Sequence, residues 1–290
     1  MVSIVKPETA YKSNKTREKA LASYNNILTH WPVAYENHVV LTSFGETNIM
    51  ISGITGAKPL VLLHGGGGNS TMWSENIAAF SEHFQVYAID MIGEAGKSAG
   101  TRPTYTSDGY PLWLKEVFDA IGISNAALCG ASLGGTIAHQ FALQFPRYIS
   151  ELILLAPPSL MKMKPSFLFR AILASLLPTQ FFVRNFLKYI SWRGAQFPEP
   201  LIQAFIIQFQ SYKPNMNKIP IISDPELAKL PSKTLVIFGK EEVLYNVKKV
   251  ALRIQKFAPF VTMAMIPDAK HTSCADQPDL VNKTIIEFAK

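Results

Sequence analysis

The sequence predicts an α/β chain: a mostly parallel sheet with helices on both faces and a helical segment inserted late in the order. Three observations lead there. Strand-length apolar runs alternate with stretches of helical periodicity along most of the 290 residues. Runs such as Leu60-Val61-Leu62-Leu63 are continuously apolar, as in strands covered on both faces. The alternation fails once, over about 158–223, which has helical spacing and no strand of its own. The expected organisation is a core of 1–157 and 224–290 carrying a helical cap at 158–223.

Taken in order, residues 1–14 read as polar and irregular, and 16–31 as an amphipathic helix ending at Pro32. Two β-rich runs, 37–44 and 47–52, flank Gly45-Glu46 and predict a hairpin. The strand 60–63 ends in His64-Gly65-Gly66-Gly67-Gly68, which lacks the lysine and the spacing of a phosphate loop. A short helix is expected over 75–83, a strand over 84–89 ending at Asp90, a glycine-rich loop over 91–98 and a helix over 105–122. The strand 126–129 then meets Gly130-Ala131-Ser132-Leu133-Gly134, and a helix follows over 135–145. After the strand 150–155 comes the insertion, rich in aromatics such as Phe167, Phe169, Phe181, Phe186, Phe205 and Phe209. These are expected mostly to dock on the core, with some lining a pocket and a homodimer interface as a third use. The alternation resumes with a helix at 225–230, strands at 234–238 and 261–266, and helices at 247–257 and 278–289.

Composition narrows the function classes. The chain is 48% hydrophobic, yet no apolar run is long enough to span a membrane, and the first thirty residues hold no apolar signal core, so a cytoplasmic location is expected. Cys129 and Cys274 form no disulfide framework. Nothing indicates a metal, a nucleotide or another cofactor. Lys162, Lys164, Arg170, Arg184, Lys188, Arg193, Lys213 and Lys218 face only Glu199 within 160–223, so this segment carries the whole net charge of +7. It reads as a solvated helical face or as a draw for anionic ligands or lipid surfaces. No nucleic-acid-binding module accompanies it.

Chemistry concentrates at the strand ends. Strand, G-x-S-x-G and helix form the setting in which a serine hydroxyl stands clear of a sheet edge above a helix N-terminus. By itself the pentapeptide would also suit an inert turn. Ligands of parallel sheets sit at the carboxyl ends of the strands, and Gly66, Asp90, Ser132, Glu242 and His271 all follow a strand end. The order serine, acid, histidine suits a nucleophile, its base and the acid that holds the base in one tautomer. His64 and His139 read as histidines bonded within the core. Glu241 and Glu242 compete for the acid. Neighbours on an extended segment point to opposite sides, so only one of them can reach His271. Asp268 and Asp276 lie so close to His271 in sequence that turn hydrogen bonds are expected of them.

On LVLLHGGGGNSTMW, IDMIGEAGKS, GASLGG, VIFGKEE and the His271 region, the chain resembles the α/β-hydrolase fold enzymes over nearly its whole length. TMWSENIAAF, Glu241-Glu242-Val243-Leu244-Tyr245 and the helix ending in Trp31-Pro32 resemble the bacterial carboxylesterase NP type. The resemblance implies Ser132 as nucleophile, His271 as base, and oxyanion donors from the N–H groups of Gly66 and Leu133. Its pattern of glycine, two residues and an acid implies Glu242, with Glu241 a loop carboxylate paired with Lys240 or Lys270. Three positions depart from it: Lys270 replaces a glycine, glutamate replaces the commoner aspartate, and Glu94 stands where histidine is frequent. The expected activity is cleavage of small carboxylic esters with a hydrophobic acyl or aryl part. A serine nucleophile disfavours dehalogenase and epoxide hydrolase relatives, which use aspartate there. Thioesterase, lipase, acyltransferase, C–C hydrolase and a non-catalytic ligand receptor stay open.

Overall fold

The computed structural model describes residues 10–193 and 196–290. The expectation of an irregular 1–14 falls partly outside this range. Within it, Tyr11 pairs with Tyr212 in an antiparallel bridge, so the segment before the first helix is extended and tied down.

Helix α1 (Asn14–Leu28) starts two residues before the predicted position because Ser13 and Thr16 form a capping box. It buries Ala20, Tyr24 and Leu28 and ends before Trp31. Strands β1 (Tyr35–Thr42) and β2 (Gly45–Gly53) form the hairpin, but its turn is Ser43-Phe44. Gly45 pairs with Thr42 at the start of β2 rather than occupying the turn. Strand β3 (Pro59–Leu63) follows, and the helix expected over 75–83 shrinks to α2 (Ile77–Ser81) behind a 3₁₀ turn at Ser70–Trp73.

Strand β4 (Gln85–Ile89) leads to α3 (Gly109–Ala120), four residues shorter at its start than its periodicity suggests. Strand β5 (Ala126–Ala131), α4 (Leu133–Gln144) and β6 (Ile149–Leu155) come next. Between β6 and β7 lie α5 (Pro165–Leu176), α6 (Gln180–Ile190), α7 (Glu199–Ser211) and α8 (Asp224–Leu227). The chain closes with β7 (Thr234–Gly239), α9 (Val247–Phe257), β8 (Thr262–Ile266), a short α10 (Ser273–Asp276) that the periodicity did not reveal, and α11 (Pro278–Ala289).

The eight strands form one sheet in the order β1-β2-β4-β3-β5-β6-β7-β8. β1 with β2 and β2 with β4 are antiparallel, and the other pairs are parallel. Alternate residues feed two cores. Val61, Leu63, Leu128, Val236 and Phe238 pack with Trp113, Phe118, Phe141 and Ile254 on one face. Leu60, Leu62, Cys129, Leu235 and Ile237 pack with Tyr24, Trp73, Phe80 and Ile285 on the other. Burial on both faces is what the continuously apolar strands require.

The aromatics between β6 and β7 behave differently from expectation. Most do not dock on the sheet. Val183, Leu187, Phe197, Ile202 and Ile206 make a separate small core with Phe205 and Phe209, while Phe169, Phe181 and Trp192 are exposed. Helical spacing says which residues share a face, not which face is covered.

Candidate active site

Strand β5 passes into α4 through Ser132, whose φ of 49° lies in the left-handed region. A β carbon on Gly130 would lie 2.3 Å from the Gly134 carbonyl oxygen, and one on Gly134 only 2.4 Å from that of Leu63. The crossing of the turn over β3 therefore demands both motif glycines. The strain at Ser132 is held by its own N–H, which donates to the Leu155 carbonyl at 2.8 Å, and by Gly134 N–H, which donates to that of His64 at 3.1 Å.

The loops after β7 and β8 lie against each other. Lys240 N–H donates to Ile266 O and Glu241 N–H to Ala269 O, at 2.8 and 3.0 Å. A β carbon on Gly239 would stand 2.1 Å from the Lys270 carbonyl oxygen. This contact brings Glu242 to His271: its Oε1 and Oε2 lie 3.1 and 3.2 Å from Nδ1. His271 Nε2 lies 3.0 Å from Ser132 Oγ. A carboxylate can only accept, so the imidazole proton sits on Nδ1 and leaves Nε2 to accept from the serine hydroxyl. Glu242 is buried and also accepts from Leu244 N–H at 2.7 Å, which fixes its orientation.

The competing acids lie elsewhere. Glu241 forms no ion pair with Lys240 or Lys270 among the described residues, contrary to expectation, and its Oε2 is buried without a hydrogen bond. Lys270 instead donates its Nζ to the Lys188 carbonyl at 2.7 Å. Asp268 is exposed, and Asp276 accepts from Lys270 N–H at 2.9 Å, the turn contact its proximity suggested. Asp90, although at a strand end, is buried and its carboxylate is taken up by Ser70 N–H, Asn48 Nδ2 and Lys97 N–H. His139 is buried, bonds Ser159 Oγ at 2.7 Å, and has its pKa lowered by burial to about 4.

The glycine loop after β3 lies beside Ser132. A β carbon on Gly65 would be 3.6 Å from that of Ser132, and one on Gly66 3.3 Å from the Leu133 side chain. The N–H groups of Gly67, Gly68 and Gly134 have internal acceptors, whereas those of Gly66 and Leu133 have none among the described residues. His64 supports the loop from beneath. Its Nε2 accepts from Met91 N–H at 3.0 Å, so the proton is on Nδ1, which donates to the Gly65 carbonyl at 2.8 Å. Burial lowers its pKa, which keeps the ring neutral.

Glu94 forms a second support, one that no spacing in the sequence revealed. Its carboxylate is buried and accepts from Gly67 N–H at 2.5 Å, from Tyr212 Oη at 2.8 Å and, more distantly, from Tyr105 Oη at 3.5 Å. Burial raises its pKa to about 7, opposed by those hydrogen bonds and by the Arg102 guanidinium. Arg102 lies over the Tyr212 ring and donates to the carbonyls of Gly93 and Lys213. Gln208, at the end of α7, donates to the Gly67 carbonyl. The glycine loop is thus held partly by the segment between β6 and β7. From the same segment Phe167 sets its edge on the His271 ring at 5.7 Å, and Phe186 and Phe209 continue the row at 5.9 and 5.8 Å.

A conserved-family model described as alpha/beta hydrolase fold matches residues 58–204. The chain belongs to the α/β-hydrolase fold family. Within it, the chain is 32% identical to Carboxylesterase YbfK of Bacillus subtilis (strain 168), with 92% of each chain covered. It is 31% identical to an uncharacterized carboxylesterase, nap, of the same organism, over 92% of this chain and 90% of the other. The crystal structure of naproxen esterase (carboxylesterase NP) from Bacillus subtilis superposes with a TM-score of 0.88 at 28% identity, covering 96% of this chain and all of that one.

Proposed function

We propose that this chain is a serine hydrolase that cleaves carboxylic esters with a hydrophobic acyl or aryl part. The observation that carries the reading is the hydrogen-bonded series from Ser132 Oγ through His271 to Glu242, at 3.0 and 3.1 Å. His271 Nε2 takes the hydroxyl proton as Ser132 Oγ attacks the ester carbonyl. The oxyanion is received by the N–H groups of Gly66 and Leu133. His271 returns the proton to the leaving alcohol, and an acyl group remains on Ser132. Water, activated by the same nitrogen, releases the acid. Glu242 holds the imidazole in its tautomer and faces the imidazolium that forms. Each oxyanion donor is worth about 3–4 kcal/mol of barrier in comparable sites.

Residues 158–223 serve as a cap over this site, with 1–157 and 224–290 as the core. The row Phe167, Phe186 and Phe209 beside His271 supports an apolar acyl or aryl subsite. The carboxylesterase relatives support the ester class. The two buried free thiols, Cys129 and Cys274, suit a cytoplasmic setting.

Labelling by a fluorophosphonate probe tests the nucleophile. The native chain should label and Ser132→Ala should not; equal labelling overturns the reading. Turnover of p-nitrophenyl acetate above background separates an esterase from a ligand receptor. For the acyl subsite, kcat/KM should rise along a chain-length series of p-nitrophenyl esters, and a flat response would remove that part.

A further inference from the structure

Helix α5 is amphipathic in the reverse sense. Its covered side carries Phe167 and the buried Ala174. Its solvent side carries Leu168, Phe169, Ile172 and Leu176, with Leu177 and Phe181 continuing past its end. At the 100° step of a helix, positions 168, 169, 172 and 176 fall on one face over about two turns. Phe169, Leu176 and Phe181 are 66%, 74% and 67% exposed, so the ridge is open rather than marginal. Scattered exposed apolar residues need no account, but a contiguous ridge does.

Charge says what covers it. Between 160 and 223 the chain holds eight cations against Glu199 alone. Arg184 pairs with Glu199 and Arg193 with Glu75, which leaves Lys162, Lys164, Arg170 and Lys188 around α5 without an ion pair among the described residues. Lys162 and Lys164 are exposed just before α5, Lys164 reaching the Glu242 carbonyl at 3.4 Å, and Arg170 is exposed on the flank of the helix, over the Tyr189 ring. An isologous contact between two copies would set the unpaired cations around α5 against one another. An anionic surface with an apolar interior meets both requirements: the cations face headgroups while the ridge enters the acyl boundary.

We propose that the outer face of α5 is a membrane-surface docking site, which seats the protein on bilayers rich in anionic lipid. The contact is interfacial. Among the described residues no helix is long and apolar enough to cross a membrane. Because the covered side of the same helix bears Phe167 against His271, the docked surface lies next to the row of rings at the serine. Docking does not require turnover, so Ser132→Ala should dock like the native chain, and failure of one reading leaves the other standing.

The test is co-sedimentation of the full chain with phosphatidylcholine vesicles, with and without phosphatidylglycerol, at low and high salt. The chain should sediment with the anionic vesicles, release as salt rises, and bind the neutral ones weakly. Phe169→Asp with Leu176→Asp should reduce anionic-vesicle binding at least about tenfold, while hydrolysis of p-nitrophenyl acetate is unchanged and the circular dichroism spectrum stays native. Lys162→Glu with Arg170→Glu should abolish the anionic preference without touching the ridge. No binding by the native chain, equal binding to both vesicle types, or full binding by the Asp variant overturns the proposal. So does a dimer in solution that the Asp variant converts to a monomer, since a second copy would then own the face.

Discussion

The two halves of the candidate active site are held in different ways. Serine, histidine and glutamate are fixed by the sheet: Ser132 by its crossing over β3, and Glu242 with His271 by the close approach of Gly239 to Lys270. Each contact joins core elements. The glycine loop, whose Gly66 N–H has no acceptor among the described residues, is instead held largely by side chains, namely His64 from beneath and Glu94, Tyr212 and Gln208 at its outer edge. In the proposed mechanism, proton transfer rests mainly on backbone packing, with Lys270 Nζ on the Lys188 carbonyl and the Phe167 ring beside His271 as additions. Charge stabilisation in that mechanism rests in part on a titratable carboxyl and on residues between β6 and β7.

Damage to the first half should be severe. Glu242→Gln keeps shape and supplies the wrong tautomer, and we expect kcat to fall by at least about two orders of magnitude. Steady-state kinetics on a p-nitrophenyl ester checks this; a near-native rate would mean that the acid is Glu241. Gly239→Ala has no room for its β carbon and must push the Lys270 backbone away, so both stability and rate should drop. The expected loss is about 2–4 kcal/mol, read by thermal denaturation, and a native melting curve would show that the two loops are not locked.

Damage to the second half should be milder and should depend on pH. Ionised Glu94 accepts from Gly67, Tyr212 and Tyr105, and its own proton would weaken that hold. Activity should therefore lose one component as pH falls through about 7, the value to which burial raises this group. Arg102, Tyr105, Tyr110 and Tyr212 are the charged and titratable groups that act on it. Glu94→Gln should lower kcat/KM about three- to tenfold at alkaline pH, below the cost of losing a whole oxyanion donor. It should make little difference at acid pH. A pH profile identical in shape to that of the native chain would refute the coupling. Stability runs the opposite way. The folded pKa lies above the unfolded one, so the native state keeps a proton that the unfolded chain has lost, and stability falls as pH rises from about 4.5 to about 7. Urea titrations across that window should show the fall in the native chain and its absence in Glu94→Gln. The smallest effect belongs to Glu241→Gln, expected within about twofold of native, because Glu241 makes no contact with His271.

The difference in how the halves are held also explains what could be read before any coordinates. The elbow, the Gly66 loop and the histidine with its acid were legible because each is a local pattern at the end of a strand, and a parallel sheet collects strand ends on one edge. Between Glu241 and Glu242 the residues alone left the choice open and the family pattern pointed to Glu242, the one the structure sets against His271. The Glu94 support was not legible. It joins Gly67, Glu94, Arg102 and Tyr212 from four parts of the chain, and no periodicity links them. The one hint was a glutamate in a loop where the family often has histidine. The aromatics after β6 failed for another reason: the 3.6-residue period placed them on common faces, while tertiary packing decided that one of those faces would be left open.

The bridge between Tyr11 and Tyr212 has a practical consequence for handling the protein. Lys12 N–H donates to the Ser211 carbonyl, Lys213 N–H donates to that of Ala10, and Tyr11 Oη reaches the Gly96 carbonyl at 2.8 Å. The stretch before α1 thus laces down the end of α7, one residue from the tyrosine that bonds Glu94. Trimming the chain to Ser13, or a bulky fusion close to Ala10, would leave both sheet cores whole. Such a preparation would lose the small cluster of Ala10, Tyr11 and Ala20 against Tyr212 and loosen the end of α7, and a resulting loss of activity would be misread as a fault in the serine.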